Sequence, residues 1–299
     1  MPSTFAAASR AAGRRPLADM ASWGLVAGGA AVASVLVLMI AGYLLAESLP
    51  LLWQGGLTRF FADDGWWPLD GQFNMLPMVS ASLLLTLASL LLATPLSLVF
   101  ATCTVFYSPP VLSALLQRLV DVSAAVPTVI YGLWGLATVL PALGAIWPAA
   151  GASLLAGVLV MAIMIFPTLT VLIQSALQAV PPTYAQAAQA LGVGRSATLL
   201  RVVLPAAQPG IAAAMALGAA RAIGETMVVL MVCGNVVQMP GSPLDPVHTL
   251  TANIALEMPY AMGAHRRSLF VAGLLVLLLV ACLVATSETV AQRVRRGRA

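Results

Sequence analysis

The chain has 299 residues, of which 61% are apolar and only 8% charged, where a soluble domain carries about 25% charged residues. All 14 basic residues are Arg and the 10 acidic ones leave a formal charge of +4, gathered in short patches between long uncharged stretches. That layout argues against a soluble enzyme, a nucleic-acid binder or a disordered regulator, and points to an all-α integral membrane protein.

A basic N-terminal tail, residues 1–19, leads into a first span at 20–46, Met20 to Ala46. As a helix this uncharged run covers about 40 Å, more than a hydrocarbon core of about 30 Å. A signal-peptide core is only about 7 to 15 residues long, so Arg14 and Arg15 flank an anchor rather than a cleaved leader. An outer loop occupies 47–77. A second span, Met78 to Phe106, is terminated by Ser108, Pro109 and Pro110. The next uncharged gap, Val122 to Gly194, is too long for one helix, and Pro141 to Pro148 divides it into spans at Val122 to Leu140 and Gly151 to Ile173. The inner connection 174–205 is rich in Ala and places a short surface helix, Ala185 to Leu191, between Pro181-Pro182 and Gly192. A fifth span follows at Ala206 to Gly234. The outer connection Asn235 to Arg267 contains an apolar piece, Val247 to Met262, too short to cross and expected as an interfacial or re-entrant helix. The sixth span is Ser268 to Thr286, so 78–287 forms one membrane domain, and 288–299 is a basic tail.

Arg asymmetry sets the orientation. With the N-terminus inside, cytoplasmic segments hold Arg10, Arg14, Arg15, Arg118, Arg195, Arg201, Arg293, Arg295, Arg296 and Arg298, against Arg59, Arg266 and Arg267 outside. Both termini are therefore expected in the cytoplasm. Trp53, Trp66, Trp67 and Trp147 then fall on outer connections as interfacial anchors, and Asp63, Asp64 and Asp70 make the first outer loop acidic.

Two charges, Arg221 and Glu225, are embedded in the fifth span. A central Arg costs about 2.5 to 3.5 kcal/mol on insertion scales, so it faces a partner or a water-filled path. Within one helix, Glu225 would lie one turn further out on the same face, with Gly224 between them permitting close approach. An internal ion pair locking two helices is the competing role. His248 and His265 stand 17 positions apart outside, as interfacial residues rather than ligands. Cys103, Cys233 and Cys282 each sit inside an apolar run and suggest neither a disulfide framework nor a metal site. Met161, Met164, Met227 and Met231 alternate with Val, Ile and Leu as packing residues. No Gly-rich loop ends in Lys, since the sequence has no Lys, so any ATP hydrolysis belongs to another chain and this one is not an enzyme.

In the inner connection, Gln186-Ala187-Ala188, three residues, Gly192, nine residues, then Val202-Val203-Leu204-Pro205 resembles the EAA loop of binding-protein-dependent ABC importer permeases. Gln186 replaces the family Glu and Val202 the family Ile. The resemblance implies a type I, MetI-like permease fold, with Gln186, Ala187, Ala188, Gly192, Leu204 and Pro205 in the element that couples to the ATPase by a helix-in-groove contact. Val126-Pro127-Thr128-Val129-Ile130-Tyr131-Gly132-Leu133-Trp134-Gly135, Arg221 to Met227, Asn235, Thr249 to Ala255 and Glu257-Met258 further resemble phosphate-specific permeases of the PstC type. Met227 after Glu225-Thr226 favours that type over the PstA-type sister. The resemblance implies a heterodimer with a PstA-type permease, two PstB-type ATPase subunits holding ATP and Mg, a PstS-type phosphate-binding protein outside, and a bacterial inner-membrane location. No cofactor is expected in this chain itself. Arg221, Glu225 and Thr226 map onto the family's substrate path.

Phosphate chemistry fits that pair. A guanidinium offers a tetrahedral anion a forked pair of charge-assisted hydrogen bonds, and phosphate near neutral pH keeps a proton it can donate to Glu225, whereas sulfate does not. The competing functions are a permease for another oxyanion such as sulfate or molybdate, an ion-coupled secondary transporter using the pair as a proton relay, and a structural scaffold.

Overall fold

The computed structural model describes residues 15–148 and 151–296. The expected basic N-terminal tail lies outside the described residues up to position 14, as do the last three residues of the C-terminal tail. Among the described residues, six helices are long and apolar enough to cross a membrane: Ser22–Trp53, Leu76–Tyr107, Thr128–Ile146, Leu154–Gln178, Arg195–Ile223 and Gly263–Thr286. We call these spans 1 to 6.

The helix containing span 1 runs from Arg15 to Gly55, past the end that Glu47 sets in the sequence. Its C-terminal half is held by packing rather than by lipid. Ser48 and Leu51 are buried, the Ser48 hydroxyl donates to Leu44 O at 2.6 Å, and Tyr43 meets Phe270 of span 6 edge-on at 5.6 Å. From Trp23 to Met39 the same helix is exposed along its whole length.

Spans 2 and 4 form the centre. Leu85 of span 2 and Met161, Met164, Ile165, Leu169 and Ile173 of span 4 are buried together, and Met161 and Met164 thus serve as packing residues. Small residues on span 2, Ala81, Ala93 and Ala101, are also buried, so the backbones approach closely, and the hydroxyls of Ser89 and Ser97 donate across to Val158 O and Phe166 O at 3.3 and 3.2 Å. In lipid, where no water competes, such bonds satisfy groups that would otherwise be costly.

Two prolines read as boundaries lie inside spans. Leu140 N reaches back to Gly135 O and Leu204 N to Leu199 O, i+5 bonds that widen the turn just before Pro141 and Pro205. A proline ring clashes with the carbonyl four residues earlier, and a widened turn moves that carbonyl aside. Span 3 therefore continues through Pro141 to Ile146, and the division from span 4 falls after Trp147. Span 5 likewise begins at Arg195 rather than Ala206. The start of span 3 also moves, because Pro110–Ala125 is a separate helix carrying Arg118 and Asp121, and Val126-Pro127 turns the chain into Thr128.

On the side remote from the helix Pro182–Ala190, a short helix Arg59–Ala62 and a two-stranded hairpin cap the bundle, with Trp66 opposite Phe73 and Trp67 opposite Gln72. Phe60, Trp66, Phe73, Met75 and Met78 form a second core with Leu250 and Leu269. Trp66 is thus a buried residue and not an interfacial ring, in contrast to Trp53 and Trp67, which are exposed. The outer segment expected at Val247 to Met262 is a shorter helix, Leu250–Glu257.

Candidate functional site

Span 5 ends at Ile223. The N–H groups of Gly224 and Glu225 reach back to Ala220 O and Ala222 O, and a second, short helix starts at Met227. The helix is therefore discontinuous at Gly224-Glu225-Thr226. The Glu225 side chain makes the break possible: its Oε1 accepts from the backbone N–H groups of Thr226, Met227 and Val228 at 3.1, 3.0 and 3.3 Å, the donors that a new helix leaves without partners. A carboxylate there also complements the positive end of the helix. Thr226 contributes its hydroxyl to Gly224 O at 3.4 Å.

This changes the geometry expected for the pair. Arg221 occupies the last turn of span 5, whereas Glu225 belongs to the cap of the following helix, so the two do not share one continuous helix face. They form no ion pair, since among the described residues the Glu257–His265 contact is the only one. Arg221 is exposed and makes no hydrogen bond among the described residues. Glu225 is buried, 8% exposed, and all three hydrogen bonds to its carboxylate fall on Oε1.

Neighbouring elements hold the break. Gly132 of span 3 lies so close to the short helix that a Cβ there would come within 2.8 Å of Met231 Sδ and 3.3 Å of Val228 Cα, so span 3 and the short helix meet almost backbone to backbone. The Tyr131 ring, within electrostatic reach of Arg221, lines a 280 Å³ apolar recess with Val126, Ile130, Trp134 and Ile163. From the other side, Thr251 donates to Glu225 O at 2.7 Å.

Thr251 lies in the stretch Thr249 to Ala255 that resembles PstC-type permeases, but neither its residue type nor its charge marks it as a neighbour of Glu225. The local sequence signal for the helix is Thr249, whose side chain caps Leu250–Glu257 by accepting from Ala252 N at 3.3 Å. His248, placed at the interface by the sequence, is buried, 4% exposed, with Nε2 3.2 Å from Asn253 Oδ1. His265 joins Glu257 at 2.7 Å.

At the opposite end of the bundle, Pro182–Ala190 is a helix with Gln186 and Ala187 exposed and Ala188 buried. Gly192 follows at φ +77°, and Leu191 beside it is 83% exposed. Leu204 and Pro205 are partly buried within span 5. Arg195 ties this region to span 2: its guanidinium donates to Phe106 O and lies over the Tyr107 ring at 5.4 Å, while Tyr107 Oη donates to Ser196 Oγ at 3.1 Å.

Six apolar helices long enough to cross a membrane, the fifth preceded by an exposed surface helix, have the fold of MetI-like ABC importer permeases. Residues 93–296 match the family described as binding-protein-dependent transport system inner membrane component, and the chain belongs to it. It is a multi-pass membrane permease. Among curated relatives it is similar to the probable ABC transporter permease protein YqgH of Bacillus subtilis, 33% identical over 74% of this chain and 73% of that protein. It is also similar to the phosphate transport system permease protein PstC of Xylella fastidiosa, 27% identical over 89% of each chain, and to PstC of Mesorhizobium japonicum, 27% identical over 88% of each. Among solved structures, the MetNI methionine ABC transporter in an inward-facing form superposes with a TM-score of 0.59 at 18% identity, over 74% of this chain and 97% of that one. A bacterial alginate ABC transporter gives 0.58 at 15% identity, over 91% and 97%.

Proposed function

We propose that this chain is the permease subunit of an ATP-driven inorganic phosphate importer, forming the translocation path with a PstA-type sister permease. The observation that carries the reading is Arg221: a guanidinium in the last turn of a membrane span, exposed and without a hydrogen-bonding partner, next to a carboxylate that is fixed by its backbone cap. A lone Arg in a span is costly unless a path or partner receives it. The PstC relatives supply the anion, and the resemblance in the sequence supplies the partners, namely two PstB-type ATPases carrying ATP and Mg and a PstS-type binding protein.

In this reading Arg221 holds two oxygens of the anion through its planar fork. Glu225, with Oε1 occupied by backbone N–H groups, offers Oε2 to the proton that phosphate retains near neutral pH. Thr226 lines the path beside it. The helix Pro182–Ala190 docks on the ATPase, and both termini lie in the cytoplasm. Arg221→Ala should reduce phosphate uptake in vesicles by about a hundredfold or more, the loss of one charge-assisted contact in a positioned site. Arg221→Lys should restore little of it, because an ammonium keeps the charge and loses the fork. Normal uptake by both variants in an assembled complex would remove Arg221 from the path.

A further inference from the structure

The helix Leu250–Glu257 is bonded at its two ends to different parts of the molecule. Near its start, Thr251 Oγ1 donates to the Glu225 carbonyl at 2.7 Å, so it holds the peptide on which the break turns. One turn of chain is also fixed to span 2, because Leu250 N donates to Ser82 Oγ at 3.1 Å. At the other end, Glu257 accepts from Trp66 Nε1 with both carboxylate oxygens at 3.1 Å and pairs through Oε2 with His265 Nε2 at 2.7 Å. Trp66 belongs to the hairpin that caps the bundle, and His265 to the start of span 6. Leu250, Ala252 and Asn253 are buried between these ends, so the helix cannot swing without disturbing the second core. At about 1.5 Å rise per residue, eight residues make a rod of roughly 12 Å.

We propose that Leu250–Glu257 is a strut through which the outer hairpin sets the geometry of the Gly224–Thr226 break, and that Trp66, Glu257 and Thr251 are positioning residues for the substrate path. The inference rests on the proposed role of Arg221 and Glu225 and deepens it. A packed helix transmits displacement because its interior is not compressible, and each end meets its neighbour through a hydrogen bond rather than through apolar contact alone, which fixes direction as well as distance. Whatever moves the hairpin, above all a protein seated on the outer face, then moves the Glu225 peptide and the three N–H groups that its carboxylate caps.

The test uses the full chain in its complex with the sister permease and the ATPase, with and without the binding protein, and compares wild type with Trp66→Phe, which keeps an aromatic ring and removes the donor, and Glu257→Gln, which keeps an acceptor and removes the charge. Amide hydrogen exchange at Thr226, Met227 and Val228 should rise by about tenfold in both variants, the scale of one lost hydrogen bond to a charged group. Stimulation of ATP hydrolysis by the binding protein should fall while basal hydrolysis stays unchanged. A fastening of purely local effect would raise exchange within Leu250–Glu257 and leave Thr226–Val228 as in wild type, and that result overturns the strut. If Trp66→Phe does not assemble, Glu257→Gln decides by the same two outcomes. Exchange is read without transport, so a complex that shows the expected exchange yet moves no phosphate supports the strut and removes the substrate reading instead.

Discussion

At the scale of single residues, Glu225 combines one observed role with one proposed role. Its Oε1 caps the short helix that starts at Met227, and its Oε2 is the acceptor proposed for a protonated anion. Glu225→Gln separates them, because the amide oxygen still accepts from Thr226, Met227 and Val228 while the other position becomes a donor. The protein should assemble, phosphate flux should fall, and sulfate flux relative to phosphate should rise, since an amide donates to an unprotonated anion and no longer repels it. The ratio is measured in a binding-protein-independent complex, where no external filter acts. An unchanged ratio contradicts the role of Oε2, and lost assembly would assign the carboxylate to structure alone. Arg221 and Glu225 were legible in the sequence because charges in an apolar span are conspicuous. That they stand on two helices was not, since only the folded chain shows a carboxylate turning back onto the N–H groups that follow it. The contact between Trp66 and Glu257 was not legible for the opposite reason: an aromatic anchor and an acidic residue of a matched stretch are ordinary until folding brings the two together across the bundle.

Among the elements, the helix Pro182–Ala190, proposed to dock on the ATPase, is left through a single turn. Gly192 holds φ +77°, and a Cβ at that position meets nothing within 4 Å in this chain. Gly192→Leu therefore costs about 1 to 2 kcal/mol of backbone strain, too little to unfold the protein but enough to misdirect Leu191 and the face proposed to dock. ATP hydrolysis should persist while phosphate uptake falls, measured together on one preparation. Full uptake by Gly192→Leu would contradict docking through this helix. Gln186→Glu, which restores the family residue on an exposed position, should be tolerated. The six spans and this surface helix could be read from uncharged runs, from Pro181-Pro182 and from Gly192. Their ends could not. Pro141 and Pro205 look like boundaries by local chemistry, yet widened turns absorb both, and the helix Pro110–Ala125 is hidden because its polar residues merge with those of a connection. Span 1 extends beyond Glu47 because packing on span 6, rather than hydrophobicity, decides where it stops.

For the whole molecule, the distribution of Arg predicts that Pro182–Ala190 faces the cytoplasm and the Trp66–Phe73 hairpin the outside. Two exposed positions test it: Thr183 on the first, and Leu69 at the tip of the second, which is 99% exposed. With Cys103, Cys233 and Cys282 replaced by Ser or Ala, a membrane-impermeant maleimide added to intact cells should label Leu69→Cys and not Thr183→Cys, and inverted vesicles should reverse the pattern. Labelling of both from one side would contradict the topology.

The most direct measurement is uptake by the reconstituted complex: this chain, its sister permease and the ATPase in vesicles, with ATP on the nucleotide-binding side and the binding protein on the other. A phosphate importer predicts ATP-dependent accumulation of phosphate, little of sulfate or molybdate, and its loss in Arg221→Ala. Accumulation of sulfate or molybdate in place of phosphate, or phosphate uptake driven by an ion gradient without ATP, would contradict it.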